Sequence, residues 1–300
     1  MQPFSFESIF VEELPAAVLQ EKNLRAAVLR LDKIHPIISG NKWFKLKYYL
    51  EEVKASNKNH MLTFGGAYSN HIAATAAAGK MFGIKTTGII RGERQKELSH
   101  TLSNAALYGM DLVFINRDDY RAKTLPAGII EKIKEIFVIN EGGYGITGAK
   151  GASEILNYGS KENYSHIACA VGTGTMMAGL IQASLPQQEI IGIPVLKNNT
   201  ALESQLCQLL SIAEQKKKFR LIHDYHFGGY AKPAPELIHF MNEFYNVTNI
   251  PTDFVYTAKL FYAILDMAGK DCFPPGSNLL LIHSGGLQGN LSLPKGSLIF

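Results

Sequence analysis

Short apolar runs rich in β-branched residues alternate with longer amphipathic runs along nearly the whole 300-residue chain. That alternation is the signature of a parallel sheet covered by helices, because parallel strands are buried on both faces and need a crossover to reach their neighbours. The pattern predicts an α/β fold. Strands are expected at Ala26–Leu31, Met61–Phe64, Thr86–Ile90, Asp111–Ile115, Ile136–Ile139, His166–Ala170, Ile190–Val195 and Asn278–Ile282. Helices are expected at Lys42–Val53, Ser69–Phe82, Leu98–Tyr108, Ala149–Leu156, Thr175–Ala183, Ala201–Ile212, Ala234–Phe244 and Ala258–Met267. The glycine-rich segment Glu141–Gly151 is the best candidate for a border between two α/β halves, and ligands in such folds bind beyond the carboxyl ends of strands.

Composition excludes several classes. Hydrophobic residues make up 46% and charged residues 19%, as in globular rather than disordered chains. The net charge of +4 is mild, and the one basic run, Lys216–Lys218, reads as a solvated helix end rather than a nucleic-acid surface. Cys169, Cys207 and Cys272 are far apart and odd in number, which suits neither a disulfide framework nor metal-ligand spacing and favours a reducing, cytoplasmic setting. Glu7, Glu12 and Glu13 stand where a signal peptide would carry basic and apolar residues. The uncharged stretch Ile167–Leu185 contains Gly172, Gly174 and Gly179, so it reads as strand, turn and helix and not as a membrane span.

Four segments carry candidate chemistry. In Ser39-Gly40-Asn41-Lys42-Trp43-Phe44-Lys45 a lysine opens a helix, where the positive helix end favours the neutral amine that attacks an aldehyde. In Thr63–His71 a strand runs through Gly65-Gly66 into a helix; Ser69 or Asn70 is a good N-cap, and Tyr68, Ser69, Asn70 and His71 place four polar side chains at one strand end beside free amides suited to an anion. In Gly172-Thr173-Gly174-Thr175, glycines, hydroxyls and helix amides can surround a phosphate. This loop is neither a dinucleotide fingerprint, since Met177 stands where the third glycine belongs, nor a P-loop. The fourth segment pairs Asp253–Lys259 with Ile282–Gly286, in which Tyr256, Thr257 and Ser284 could each present a hydroxyl to a bound ring.

In this order the motifs GNKWFKL (Gly40–Leu46), GGAYSNH (Gly65–His71), VGTGT (Val171–Thr175), FVYTAK (Phe254–Lys259) and IHSGG (Ile282–Gly286) resemble the family of 1-aminocyclopropane-1-carboxylate deaminase and D-cysteine desulfhydrase. That family belongs to the tryptophan-synthase-β-like, fold type II class of pyridoxal-phosphate enzymes, and the resemblance spans nearly the whole chain. It implies two open, twisted, mainly parallel sheets flanked by helices. It also implies a large cofactor-binding domain of residues 1–45 and 149–300, a small domain of residues 46–148, a cleft between them, and a homodimer. By the same likeness Lys42 holds pyridoxal 5'-phosphate, Lys45 and Gly172–Thr175 lie at its phosphate, Asn70 at its phenolic oxygen and Thr257 at its pyridine nitrogen. Ser69 and Tyr256 would assist at the substrate, a small amino acid whose carboxylate meets Ser69 and neighbouring amides.

The deaminase has a glutamate where this chain has Thr257, as desulfhydrase-like members do. A carboxylate beside the pyridine nitrogen favours its protonation and deepens the electron sink, whereas a neutral hydroxyl does not. Opening a cyclopropane ring without an α-proton needs the deeper sink, so Thr257 points to β-elimination of the D-cysteine desulfhydrase kind. The alternatives are aminocyclopropane-carboxylate deamination and a cofactor-free phosphate-ligand-binding α/β protein. Two further departures are Tyr68, bulkier than the family pattern, and the apolar run Ile72-Ala73-Ala74 after His71.

Overall fold

The computed structural model describes residues 4–300; the first three residues of the expected large-domain range lie outside it. Ten strands are present among the described residues: β1 (Val11–Glu13), β2 (Arg25–Arg30), β3 (His60–Gly65), β4 (Lys85–Arg91), β5 (Met110–Ile115), β6 (Phe137–Ile139), β7 (His166–Val171), β8 (Glu189–Pro194), β9 (Phe219–Leu221) and β10 (Asn278–His283). The helices are α1 (Ala17–Glu21), α2 (Asn41–Ala55), α3 (Asn70–Phe82), α4 (His100–Leu107), α5 (Arg117–Ala122), α6 (Ala127–Ile130), α7 (Ile146–Ser153), α8 (Thr175–Ala183), α9 (Leu202–Cys207), α10 (Pro235–Thr248) and α11 (Thr257–Gly269).

The strands form two sheets. One has six strands in the order β1-β2-β10-β7-β8-β9, parallel except for the antiparallel edge pair β1–β2. The other has four, β5-β4-β3-β6, all parallel. The inner strands are buried almost end to end, as strands with helices on both faces must be. The fold is therefore α/β with two mainly parallel sheets flanked by helices.

All eight expected strands are present within a residue or so at each end. Two three-residue strands, β1 and β9, and the short helices α1, α5 and α6 add to the sequence reading; none is long enough to show a period. Helix α9 stops at Cys207 instead of Ile212, and the helix expected at Ala149–Leu156 starts at Ile146 and tightens into a 3₁₀ turn after Ser153. The Lys216–Lys218 run is not simply a solvated helix end. Lys217 Nζ donates to the carbonyls of Ile181, Gln182 and Ser184 at 2.8–2.9 Å, which satisfies the last turn of α8. No helix among the described residues is long and apolar enough to cross a membrane.

Candidate active site

Three of the candidate stretches follow the carboxyl end of a strand: Gly66–Asn70 follows β3, Gly172–Gly174 follows β7, and Ser284–Gly286 follows β10. The ends of β10 and of the loop before α2 meet closely. Gly40 has φ +59°, and a Cβ there would lie 1.9 Å from the Ser284 carbonyl oxygen, which accepts from Asn41 N at 3.2 Å. Only glycine gives both the left-handed backbone and the space. A Cβ on Gly286 would lie 2.7 Å from Asn70 Nδ2, and Gln288 Nε2 donates to Asn70 Oδ1 at 2.9 Å. The starts of α2 and α3 are thus both anchored to the segment after β10.

Lys42 stands in the first turn of α2. Its Nζ donates to Asn41 Oδ1 at 2.7 Å and lies 5.9 Å from the Tyr256 ring centroid. Burial lowers its pKa to about 8, against the opposing pull of Asp253, so about a tenth of the amine is neutral at pH 7, far more than for an ordinary lysine. Lys45, one turn on, is buried and donates to the Gly142 carbonyl at 3.2 Å. Burial, and then the charge of Lys42, hold its pKa well below the usual lysine value. A Cβ on Gly142 would come within 2.8 Å of Thr173 Cγ2, so the Glu141–Gly143 turn joins Lys45 to the glycine loop after β7. In that loop Thr173 and Thr175 pair their hydroxyls at 3.0 Å, and no side chain caps the amides at the start of α8.

Ser69 caps α3, its Oγ accepting from Ile72 N at 3.3 Å, so its own proton is still available. His71 is buried. Its Nε2 lies 2.8 Å from Thr63 Oγ1, whose single proton goes to the Ile139 carbonyl, so Nε2 is the protonated nitrogen. Nδ1 is then a buried acceptor with no partner. Burial first, then Lys42 and Lys45, keep this imidazole neutral by lowering its pKa far below the ordinary value. Tyr68 differs from the others in being 48% exposed; it leans on His100 at 5.7 Å and lines a cleft of about 240 Å³ with Asn70 and Tyr230. Ile72, Ala73 and Ala74 are all buried, so that departure from the family pattern concerns core packing.

Thr257 is fully buried at the start of α11, where its hydroxyl pairs with Asp253. Ser284 is nearly buried. Tyr256 faces Tyr230 edge-on at 6.0 Å between centroids, and burial, then Tyr230, raise its pKa well above the ordinary value. Tyr230 was not foreseen from the sequence. Its segment, His226–Pro233, is irregular, with positive φ at Phe227, Gly228, Gly229 and Ala231, and only that glycine- and proline-rich loop between helices offered a signal.

A family model for pyridoxal-phosphate dependent enzymes matches residues 12–285. The chain belongs to that family. A Thermotoga maritima protein that carries a provisional 1-aminocyclopropane-1-carboxylate deaminase name is 30% identical over 284 residues, 87% of this chain and 88% of the relative. D-cysteine desulfhydrase of Klebsiella pneumoniae is 26% identical over 287 residues, 87% of each chain. The crystal structure of an ACC deaminase homologue superposes with a TM-score of 0.82 at 25% identity, covering 97% of this chain and 92% of that one. The protein is therefore a pyridoxal-phosphate-dependent enzyme of the aminocyclopropane-carboxylate deaminase and D-cysteine desulfhydrase family, and the cofactor-free alternative is set aside.

The residues present fit the cofactor. A lysine of lowered pKa would suit an aldehyde, the uncapped amides and paired hydroxyls at Thr173–Thr175 would suit a phosphate, and the orphaned His71 Nδ1 is an acceptor open to a donor.

Proposed function

We propose that this enzyme catalyses β-elimination from a small amino acid of the D-cysteine kind, releasing ammonia, a 2-oxo acid and, from D-cysteine, sulfide. The observation that carries this reading is the Thr257 hydroxyl, which stands where the deaminase has a carboxylate and has given its proton to Asp253. It brings no full charge to a ring nitrogen and so leaves a shallower electron sink than a carboxylate would, which suffices for a reaction that begins by losing an α-proton. The bound cofactor supplies the electron sink. In this reading Lys42 holds it and moves the proton at the substrate's α-carbon. Lys45 and Gly172, Thr173, Gly174 and Thr175 hold its phosphate, Asn70 its phenolic oxygen, and Thr257 and Ser284 flank its ring. Ser69 and Asn70 take the substrate carboxylate, with Tyr68, His71 and Tyr256 around the rest, and Ser69 or Tyr256 assists at the substrate carbon.

Ring opening of 1-aminocyclopropane-1-carboxylate is the second reading, favoured by the name of the Thermotoga maritima relative. A product assay on D-cysteine, L-cysteine, D-serine and aminocyclopropane carboxylate separates the two. Sulfide and a 2-oxo acid from D-cysteine are the expected outcome, and 2-oxobutyrate from the cyclopropane as main product would replace the first reading by the second. Borohydride reduction followed by peptide mapping should leave the cofactor on Lys42; a label on Lys45 or Lys47 would overturn its role.

The reading also includes the domain division at 45/46 and 148/149. Every strand of the four-stranded sheet falls within residues 46–148 and every strand of the other outside it, while α2 crosses the first border. A cytoplasmic homodimer completes it, with the three free cysteines in support of a reducing setting.

A further inference from the structure

The larger cleft, about 570 Å³, is walled not by Lys42 but by residues around the carboxyl ends of β3 and β4. Arg91, Arg117, Arg121 and Lys123 set four cations around it against the single carboxylate of Glu141. Asp118, on α5, reaches Arg121 at 3.5 Å, but both are largely exposed, so the pair screens little. Arg91 lies over the Tyr120 ring, 5.7 Å from its centroid. Tyr120 is 9% exposed, and its hydroxyl, buried in the wall, has no hydrogen-bond partner in good geometry. Burial first, then the Glu141 charge and a hydrogen bond toward that carboxylate, raise its pKa, which keeps it a donor. One carboxylate beside this donor, among three guanidinium groups and an ammonium, leaves the cleft net positive and suited to an anionic oxygen.

The cleft continues two walls of the active site. Phe64 in its lining directly precedes Gly65-Gly66, and a Cβ on Gly66 would lie 3.5 Å from Arg91 Nη2. Glu141 directly precedes Gly142, whose carbonyl holds Lys45. The volume also exceeds what the uncharged side chain of D-cysteine needs, lying within the range of pockets for larger ligands of ~300–1,000 Å³.

We propose that this cleft is a subsite for a second anionic group of the substrate, carried on the leaving group at its β-carbon; this rests on the β-elimination reading. The substrate class is a D-alanine whose β-sulfur or β-oxygen bears a carboxylate or phosphate. The bond from the β-carbon breaks with its electron pair, the leaving fragment departs with its anionic tail against the arginines, and the α-proton goes to Lys42. Water converts the resulting 2-aminoacrylate to the 2-oxo acid and ammonia.

The test compares S-carboxymethyl-D-cysteine with S-carbamoylmethyl-D-cysteine, near-isosteres that differ in charge. The holoenzyme should favour the carboxylate by about tenfold or more in kcat/KM. The ratio should fall toward one in Arg91→Gln and in the double variant Arg117→Gln/Arg121→Gln, and part of the way in Tyr120→Phe. A ratio near one in the unmodified enzyme, or one the variants leave unmoved, removes the subsite. If D-cysteine is consumed and neither compound is, the subsite is removed; if D-cysteine is not consumed either, the β-elimination reading fails and calorimetric titration with succinate decides the cleft on its own. Binding that Arg91→Gln weakens by about tenfold retains an anion site there; binding indifferent to Arg91 removes it.

Discussion

Thr257 Oγ1 donates to Asp253 Oδ1 at 2.8 Å while accepting from Asp253 N at 2.7 Å, so the two residues close a small buried ring at the start of α11. The same carboxylate accepts from the amides of Val255, Tyr256 and Thr257 at 2.9–3.0 Å, and burial raises its pKa. A glutamate at 257, the residue of the deaminase, would therefore press a second carboxylate against Asp253. Thr257→Glu alone should lose roughly 2–5 kcal/mol of stability in denaturant melts. Asp253→Asn/Thr257→Glu should recover much of it and raise the ratio of aminocyclopropane-carboxylate to D-cysteine turnover. A double variant whose ratio equals that of the unmodified enzyme would show that this position does not choose the reaction.

How much of this was legible in the sequence follows from what each residue's role depends on. The inner strands and the Ser69 cap rest on local pattern, and both were readable. The Thr257 hydroxyl was readable as a group, but its commitment to Asp253 was not, because which lone pair a hydroxyl fills is set by neighbours in three dimensions. Tyr230 and Arg91 lie outside all four motifs, and only the meeting of a loop before α10 with α11, and of β4 with α5, gives them their places.

Lys42 gives a pH prediction. Its folded pKa of about 8 lies below the ordinary 10.5, so the cost of burying its charge is fully present below pH 8. Between about 8 and 10.5 the unfolded chain binds more protons, and stability rises with pH. In protein stripped of cofactor, Lys42→Met should therefore stabilise at pH 7 by about 3 kcal/mol. That gain should fade as pH approaches 10.5, while turnover is lost at every pH. Urea melts at pH 7 and 10 provide the check, and a gain of equal size at both would contradict the lowered pKa.

Gly172 gives a ligand prediction. A Cβ there would sit 3.4 Å from Tyr256 Cε1, so alanine is tight but tolerable, while aspartate adds a carboxylate to the proposed phosphate loop. Gly172→Ala should shift cofactor affinity modestly, and Gly172→Asp should weaken it by about two orders of magnitude or more, through charge rather than bulk. Gly172→Asn, equal in size and uncharged, isolates the charge. Equal affinities for the aspartate and asparagine forms would remove the phosphate from this loop.

Lys259, in the motif FVYTAK, is fully buried and is not aimed at the ligand. Its Nζ donates to the carbonyls of His226 and Gly229 at 2.8 and 2.7 Å and approaches that of Val195 at 3.5 Å, and burial lowers its pKa to about 8. The first two carbonyls belong to the left-handed loop that carries Tyr230 to Tyr256, so a positioning role for Lys259 toward the aromatic pair can be tested. Lys259→Met keeps the stem and leaves the carbonyls unsatisfied, which should cost about 2–4 kcal/mol in melting experiments. A purely structural role would lower stability and leave kinetics of the folded fraction alone. The positioning role predicts more: with the folded fraction held above nine-tenths by low temperature, kcat should fall several-fold, and Tyr230→Phe should add little to the loss, because both substitutions disturb the Tyr230 hydroxyl, which bonds that of Tyr256. Independent, multiplicative effects of the two substitutions would leave Lys259 as a core residue only.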